Sequence, residues 1–272
     1  MFSILTRLRH GALKRFRFIW GPLRIVYRLL MVITPGWSVS KKIGPYGPFK
    51  MDKRFAFSNF SRWGSAHNRG FVACIEEAGG MRTVFDIGAH IGLVSLPLSM
   101  SIDQCGKLFA FEPAESNRAF LENHIRDNGI HNIEIISDLV GDEAVESVRF
   151  FESPADSGMN TIAESRRRSG FVETDVKQIT LDAFCNKRDL RPELIKIDTE
   201  GAELNILRGA SGVLRKYHPI IFLSVHPQHV AELGGSVEEL EELLTRLGYV
   251  VNDMDGNIVR PTELTEYVLR PA

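Results

Sequence analysis

Three acidic residues stand where apolar runs give way to turns: Asp86 in Val84-Phe85-Asp86-Ile87-Gly88, Glu112 closing Phe109-Ala110-Phe111-Glu112, and Asp138 after Ile133 to Ser137. A carboxylate at a strand end can accept hydrogen bonds from both hydroxyls of a ribose. Glu112, 24 positions after Gly88, is spaced for that work. Asp138 can take a hydrogen from an exocyclic amine such as that of adenine, or it can simply close a turn. Asp86, just before a glycine turn, repels a pyrophosphate but suits a cationic amino group, met directly or through water. Gly88 allows a sharp turn and close approach to a ligand, and Gly92 allows close helix-to-strand packing, with Ala89 and His90 between them. Amides of a helix starting after this turn can receive a carboxylate.

The glycine spacing is GxxxG and lacks the GxGxxG of dinucleotide binders. The expected ligand is therefore a nucleoside joined to a zwitterionic amino acid, S-adenosyl-L-methionine. A nicotinamide-dependent oxidoreductase is the competing enzyme class, since Glu112 alone serves either cofactor. The last chemical string is Leu194-Ile195-Lys196-Ile197-Asp198-Thr199-Glu200-Gly201-Ala202-Glu203, with His226 in Phe222-Leu223-Ser224-Val225-His226-Pro227. Asp198, Glu200 and His226 are the candidate catalytic bases. Glu200 and Glu203 can also be read as carboxylates favoured by a helix dipole. A divalent ion on Asp198, Glu200 and His226 is chemically conceivable, but their spacing does not demand it, and no metal is expected.

With KIDTEGAE from Lys196 to Glu203, FDIGAHIG from Phe85 to Gly92, FEP from Phe111 to Pro113 and the segment Pro219 to Pro227, the chain resembles the FkbM family of S-adenosylmethionine-dependent methyltransferases. The likeness spans roughly Asn59 to Val251. It implies methyl transfer, usually to a hydroxyl of a sugar, polysaccharide or secondary metabolite. It also implies that Asp86, Gly88, Ala89 and Glu112 line the cofactor site, with Asp198 and Glu200 beside the transferable methyl. Family members often carry Glu where this chain has Ser224, a departure that lends weight to a third reading, a non-catalytic scaffold with a methyltransferase fold.

These residues need a sheet to bring them to one edge. Short apolar runs at 83–87, 107–112, 133–137, 194–198 and 220–225 alternate with helical stretches at 92–100, 116–127 and 238–247, which predicts an α/β fold. The expectation is a Rossmann-like class I methyltransferase fold with a mostly parallel central sheet. The runs 194–198 and 220–225 are almost wholly apolar, as central strands covered on both faces must be. A strand is expected at 148–151, and 249–251 with 267–269 supply closing antiparallel strands. A helical cover ends near Gly79 and Gly80. The polar stretch Glu152 to Asp175, with Arg166, Arg167 and Arg168, reads as a surface loop or lid. Thr34 to Pro48, rich in Gly and Pro, reads as a linker or irregular loop.

The 272 residues, 44% hydrophobic and 25% charged with formal net charge -1, give ample core and no character of a nucleic-acid binder. Cys74, Cys105 and Cys185 are scattered and odd in number, so neither a disulfide framework nor a zinc knuckle is implied, and a cytoplasmic location is expected. No acidic residue precedes Asp52. If residues 4–30 are helical, Leu5, Leu8, Ala12, Phe16, Ile19, Leu23, Val26 and Leu30 form one stripe, and Arg7, Lys14, Arg17, Arg24 and Arg28 another face. That pattern suits an anionic membrane surface at the inner face, although packing on the protein or a transit peptide would share it. The expected division is an arm and linker at 1–50 and a methyltransferase domain at 51–272, acting on a small-molecule or glycan acceptor. Oligomeric state is not encoded in any of these patterns.

Overall fold

The computed structural model describes residues 37–64, 68–153, 160–167 and 169–272; the expected amphipathic arm lies outside them. In chain order the strands are β1 (Ser38–Ile43), β2 (Tyr46–Asp52), β3 (Thr83–Ile87), β4 (Lys107–Phe111), β5 (Ile133–Ile136), β6 (Leu139–Val140), β7 (Val145–Glu152), β8 (Val172–Ile179), β9 (Leu194–Ile197), β10 (Ile220–Val225), β11 (Tyr249–Asn252) and β12 (Thr265–Pro271). The helices are α1 (Gly70–Glu77), α2 (Ser95–Ser101), α3 (Glu115–Asn128), α4 (Leu181–Arg188), α5 (Glu203–Gly209), α6 (Ser211–Tyr217), α7 (Pro227–Glu232) and α8 (Val237–Arg246).

Among the described residues the central sheet has seven strands in the order β11-β12-β10-β9-β3-β4-β5. The five from β10 to β5 run parallel, and β12 lies antiparallel between β10 and β11. This is the Rossmann-like α/β architecture expected. Chain order reverses at β3, with β4 on one side and β9 on the other, so a crevice opens beyond their carboxyl ends. Each strand divides its side chains between two cores. Phe85, Ile87, Phe109, Phe111, Ile195 and Ile197 pack with residues of α4, α5, α6 and α8, among them Phe184, Leu204 and Leu244. Val84, Leu108, Leu194 and Phe222 pack on the opposite face with Phe71, Leu96, Leu98 and Phe120 of α1, α2 and α3.

Two expectations need correction. The Gly- and Pro-rich stretch before Pro48 is no irregular linker, because β1 and β2 form a hairpin there, paired from Ser38↔Asp52 to Ile43↔Tyr46. Its turn needs Gly44 at φ +53, where a Cβ would lie 2.6 Å from the Trp63 carbonyl oxygen. Ile43, Phe49 and Met51 are buried, and Asn128 of α3 holds both backbone groups of Lys50, at 2.8 Å each. A boundary at residue 50 therefore cuts through β2. The polar excursion is also more ordered than a loop, since Val172 to Asp175 belongs to β8 and pairs with β7 from Glu152↔Val172 to Arg149↔Asp175. β8 lies in the middle of a three-stranded sheet, β6-β8-β7, and exposes Glu173, Asp175 and Lys177, which hid the strand period.

Candidate active site

Gly88 turns the chain out of β3 with φ +87, and a Cβ there would lie 2.0 Å from the Asp198 carbonyl oxygen. Only glycine lets the ends of β3 and β9 come so close. The N–H groups of Gly88 and Ala89 both donate to the Phe111 carbonyl at 3.0 Å, and the N–H of His90 donates to Glu112 at 2.7 Å. These amides are consumed in tying the turn to β4, and α2 begins only at Ser95. The expected anion-binding amides directly after Gly88 are therefore not free. His90 takes a left-handed φ of 50°, which aims its N–H at Glu112. Gly92, at φ +92, lets Leu121 of α3 approach to 2.6 Å of where a Cβ would stand.

Beyond these strand ends lies a cavity of about 450 Å³, within the size range of cofactor and small-molecule sites. Gly88, Ala89, His90, Glu112, Asp138, Asp198 and Glu200 line it, so most of the predicted site converges. Asp86, Gly92 and His226 do not. Asp86 is buried beneath the floor, where Oδ2 accepts from Ser95 Oγ at 2.5 Å and Oδ1 has no hydrogen-bond partner among the described residues. Its neighbour in register on β9 is Lys196. Burial raises the Asp86 carboxyl above its usual range, and Lys196 and Ser95 only partly offset this.

Glu112 is buried and accepts from His90 N at 2.7 Å, Ala114 N at 3.0 Å and Asn117 Nδ2 at 3.2 Å. Burial pushes its carboxyl up to about 7 against these three donors. A carboxylate has roughly four acceptor positions, so capacity remains toward the cavity. Apolar Ile87, Phe111, Leu139 and Val140 flank this end, and Phe55, Phe60 and Trp63 cover the cavity together with Thr161 and Ile162 of the excursion.

The other end is charged. Lys196 is among the residues lining the cavity, and its Nζ donates to Asp198 at 2.9 Å. Burial alone would raise Asp198, but Lys196, His226 and Ser224 outweigh it and hold the carboxyl below its usual range. Glu200 stands at φ 57°, an uncommon backbone for a residue other than glycine. Arg166 of the excursion donates to the Glu200 carbonyl at 2.6 Å and pairs with its carboxylate at 3.5 Å, where His229 Nδ1 also approaches to 3.2 Å. His226 sits behind this pair: Nδ1 is 2.9 Å from Glu203, and Nε2 is 3.9 Å from Asp198 and 4.0 Å from Glu200. Burial would lower the His226 imidazole, yet Glu203, Asp198 and Glu200 reverse this and raise it. His229, stacked on it at 5.6 Å, is lowered by burial and by Arg166.

Among the described residues no group of three or more His, Cys, Asp or Glu side chains could hold a metal ion. The donor set fits S-adenosylmethionine better. It offers a strand-end carboxylate with spare capacity near apolar walls, carboxylates at the far end for a cationic group, and a buried Asp86 oxygen left unsatisfied. Sequence reasoning gave no site role to Lys196, Asn117, Glu203, Arg166 or His229. Lys196 had a signal, since a lone charge in the strand LIKI requires buried partners.

The methyltransferase FkbM domain matches residues 86–251 of the chain. Among curated proteins no relative matches. Methyltransferase FkbM from Methylobacillus flagellatus KT is 18% identical over 70% of this chain, with TM-score 0.45; the match spans 43% of that longer protein. Precorrin-6y C5,15-methyltransferase from Geobacter metallireducens GS-15 is 15% identical over 81% of this chain and 92% of its own, with TM-score 0.42. A SAM-dependent methyltransferase from Aquifex aeolicus is 13% identical over 74% of this chain and 89% of its own, with TM-score 0.40.

Proposed function

Because the chain belongs to the FkbM methyltransferase family, we propose that it transfers a methyl group from S-adenosylmethionine to a hydroxyl of a small-molecule or glycan acceptor. One observation carries the reading: the carboxyl ends of the adjacent strands β9, β3 and β4 open into one cavity, lined by Asp198, Gly88 and Glu112. S-adenosylmethionine supplies an already activated methyl group, so the protein's task is alignment and exclusion of water. Glu112 would hold the ribose hydroxyls, Asp138 the adenine amine, and Asp86 with the carboxylates around Lys196 the field that favours a cationic amino-acid end. Phe55, Phe60 and Trp63 shield the reaction from solvent. Asp198 and Glu200, which line the cavity, would receive the proton that the hydroxyl loses.

Residues 4–30 supply the second part of the proposal. Their cationic, amphipathic pattern supports attachment to an anionic membrane surface. Among the described residues no helix is long and apolar enough to cross a membrane.

Calorimetry with S-adenosylhomocysteine and NAD side by side tests the cofactor. We expect S-adenosylhomocysteine to bind and Glu112→Ala to abolish that binding. NAD binding without the other ligand would overturn the assignment.

A further inference from the structure

Methyl transfer to a hydroxyl releases a proton, and Asp198 is poorly suited to keep it. Its carboxylate is bound to Lys196 at 2.9 Å, and beside it the Glu200 carboxylate lies 3.5 Å from Arg166. A carboxylate hydrogen-bonded to an ammonium, as Asp198 is, is a weak resting base. Behind both stands His226, whose ring is fixed from below by Glu203, a residue fully buried at the start of α5.

Resting on the transferase reading, we infer that Glu203 is a positioning residue: it accepts the Nδ1–H of His226, leaving Nε2 unprotonated behind Asp198 and Glu200 to collect the proton they receive. The step balances. The acceptor's O–H bond would break as its oxygen takes the methyl group, the donor sulfur keeping the electron pair of its broken bond to that carbon; the proton would pass to a cavity carboxylate, and Nε2 would then take it as an imidazolium facing Glu203. The distances of 3.9 and 4.0 Å exceed a hydrogen bond, and one bridging water or a small side-chain shift spans them. Glu203 is itself held, because its Oε1 also accepts the N–H of Gly201 at 2.9 Å. As a carboxylate Glu203 has only acceptor positions to offer the ring, which assigns the proton of this contact to the imidazole.

The charged groups around His226 come from every side. Glu203 lies on α5, Asp198 and Glu200 on the β9–α5 connection, and His229 one turn along α7, with Lys196 beyond Asp198 and Arg166 and Glu232 beyond Glu200. The like charge of a protonated His229 would oppose an imidazolium at 226, and burial together with Arg166 lowers the proton affinity of His229.

Long-range nitrogen–proton NMR correlation on the full chain with labelled histidine reads the tautomer directly, and His226→Asn identifies the resonance. In the wild type we expect neutral His226 to carry its proton on Nδ1, and in Glu203→Gln its proton affinity to fall about tenfold. A neutral ring protonated on Nε2, or an unchanged titration in a folded Glu203→Gln, overturns the proposal. Should Glu203→Gln fail to fold, the wild-type tautomer still decides. The measurement needs no cofactor or acceptor, so it fails independently of the calorimetry with S-adenosylhomocysteine that tests the transferase reading.

Discussion

Burial pushes the Glu112 carboxyl up to about 7, so near neutral pH this side chain sits at its own titration midpoint. The ionised form has the acceptor positions a ribose needs, and the protonated form has fewer. Affinity for S-adenosylhomocysteine should therefore climb as pH rises from 6 to 8, with protons released on binding, and Glu112→Gln should flatten that profile; calorimetry in two buffers of different ionisation heat checks both. Without ligand the sign is opposite. A folded pKa raised from 4.5 to about 7 adds stability that is full below 4.5 and lost as pH climbs through 7, by about 3 kcal/mol at most. The gap in unfolding free energy between wild type and Glu112→Gln should change across that window. Sequence alone located Glu112, because its position at a strand end needs only local reading. Asp86 shows the limit. It was expected within reach of the cofactor, but the parity of β3 and its register with β9 set it against Ser95 and Lys196 beneath the cavity floor. No local pattern contains that pairing.

At the level of elements, the site depends on how closely the β3–α2 turn approaches the end of β9. Gly88→Ala would place a methyl group 2.0 Å from a backbone oxygen while forcing an L-residue to φ +87. Overpacking and left-handed strain together should cost about 3 kcal/mol or more. Thermal unfolding should show a large drop in Tm, and S-adenosylhomocysteine binding should vanish; a variant of native stability and affinity would refute this tight junction. The parallel strands were legible because each is a short apolar run bounded by turns, and α3 because Gly129 ends it at φ +65. The β1–β2 hairpin was not, since its glycines and prolines are also those of a linker. What separates the two is burial of Ile43, Phe49 and Met51 against distant elements, α3 among them. β8, the partner of the strand expected at 148–151, escaped notice because most of its exposed residues, Glu173, Asp175 and Lys177, are charged. His226 and Glu203, 23 positions apart, meet only because β9 and β10 are neighbours in the sheet.

At the scale of the molecule, the proposed membrane role of residues 4–30 predicts that the full chain floats with anionic liposomes and that removing residues 1–33 abolishes flotation, both effects weakening with salt. Equal flotation by the two forms would discard it. The sheet order carries a different consequence. β12, the latest described strand in the chain, is seated between β10 and β11. Until Thr265–Pro271 is in place, β11 has no sheet partner and β10 presents one bare edge. Such edges recruit other chains. The folding protein thus keeps an open seam that only Thr265–Pro271 can close, and chains cut short within residues 253–264 should yield aggregates in place of a smaller folded enzyme.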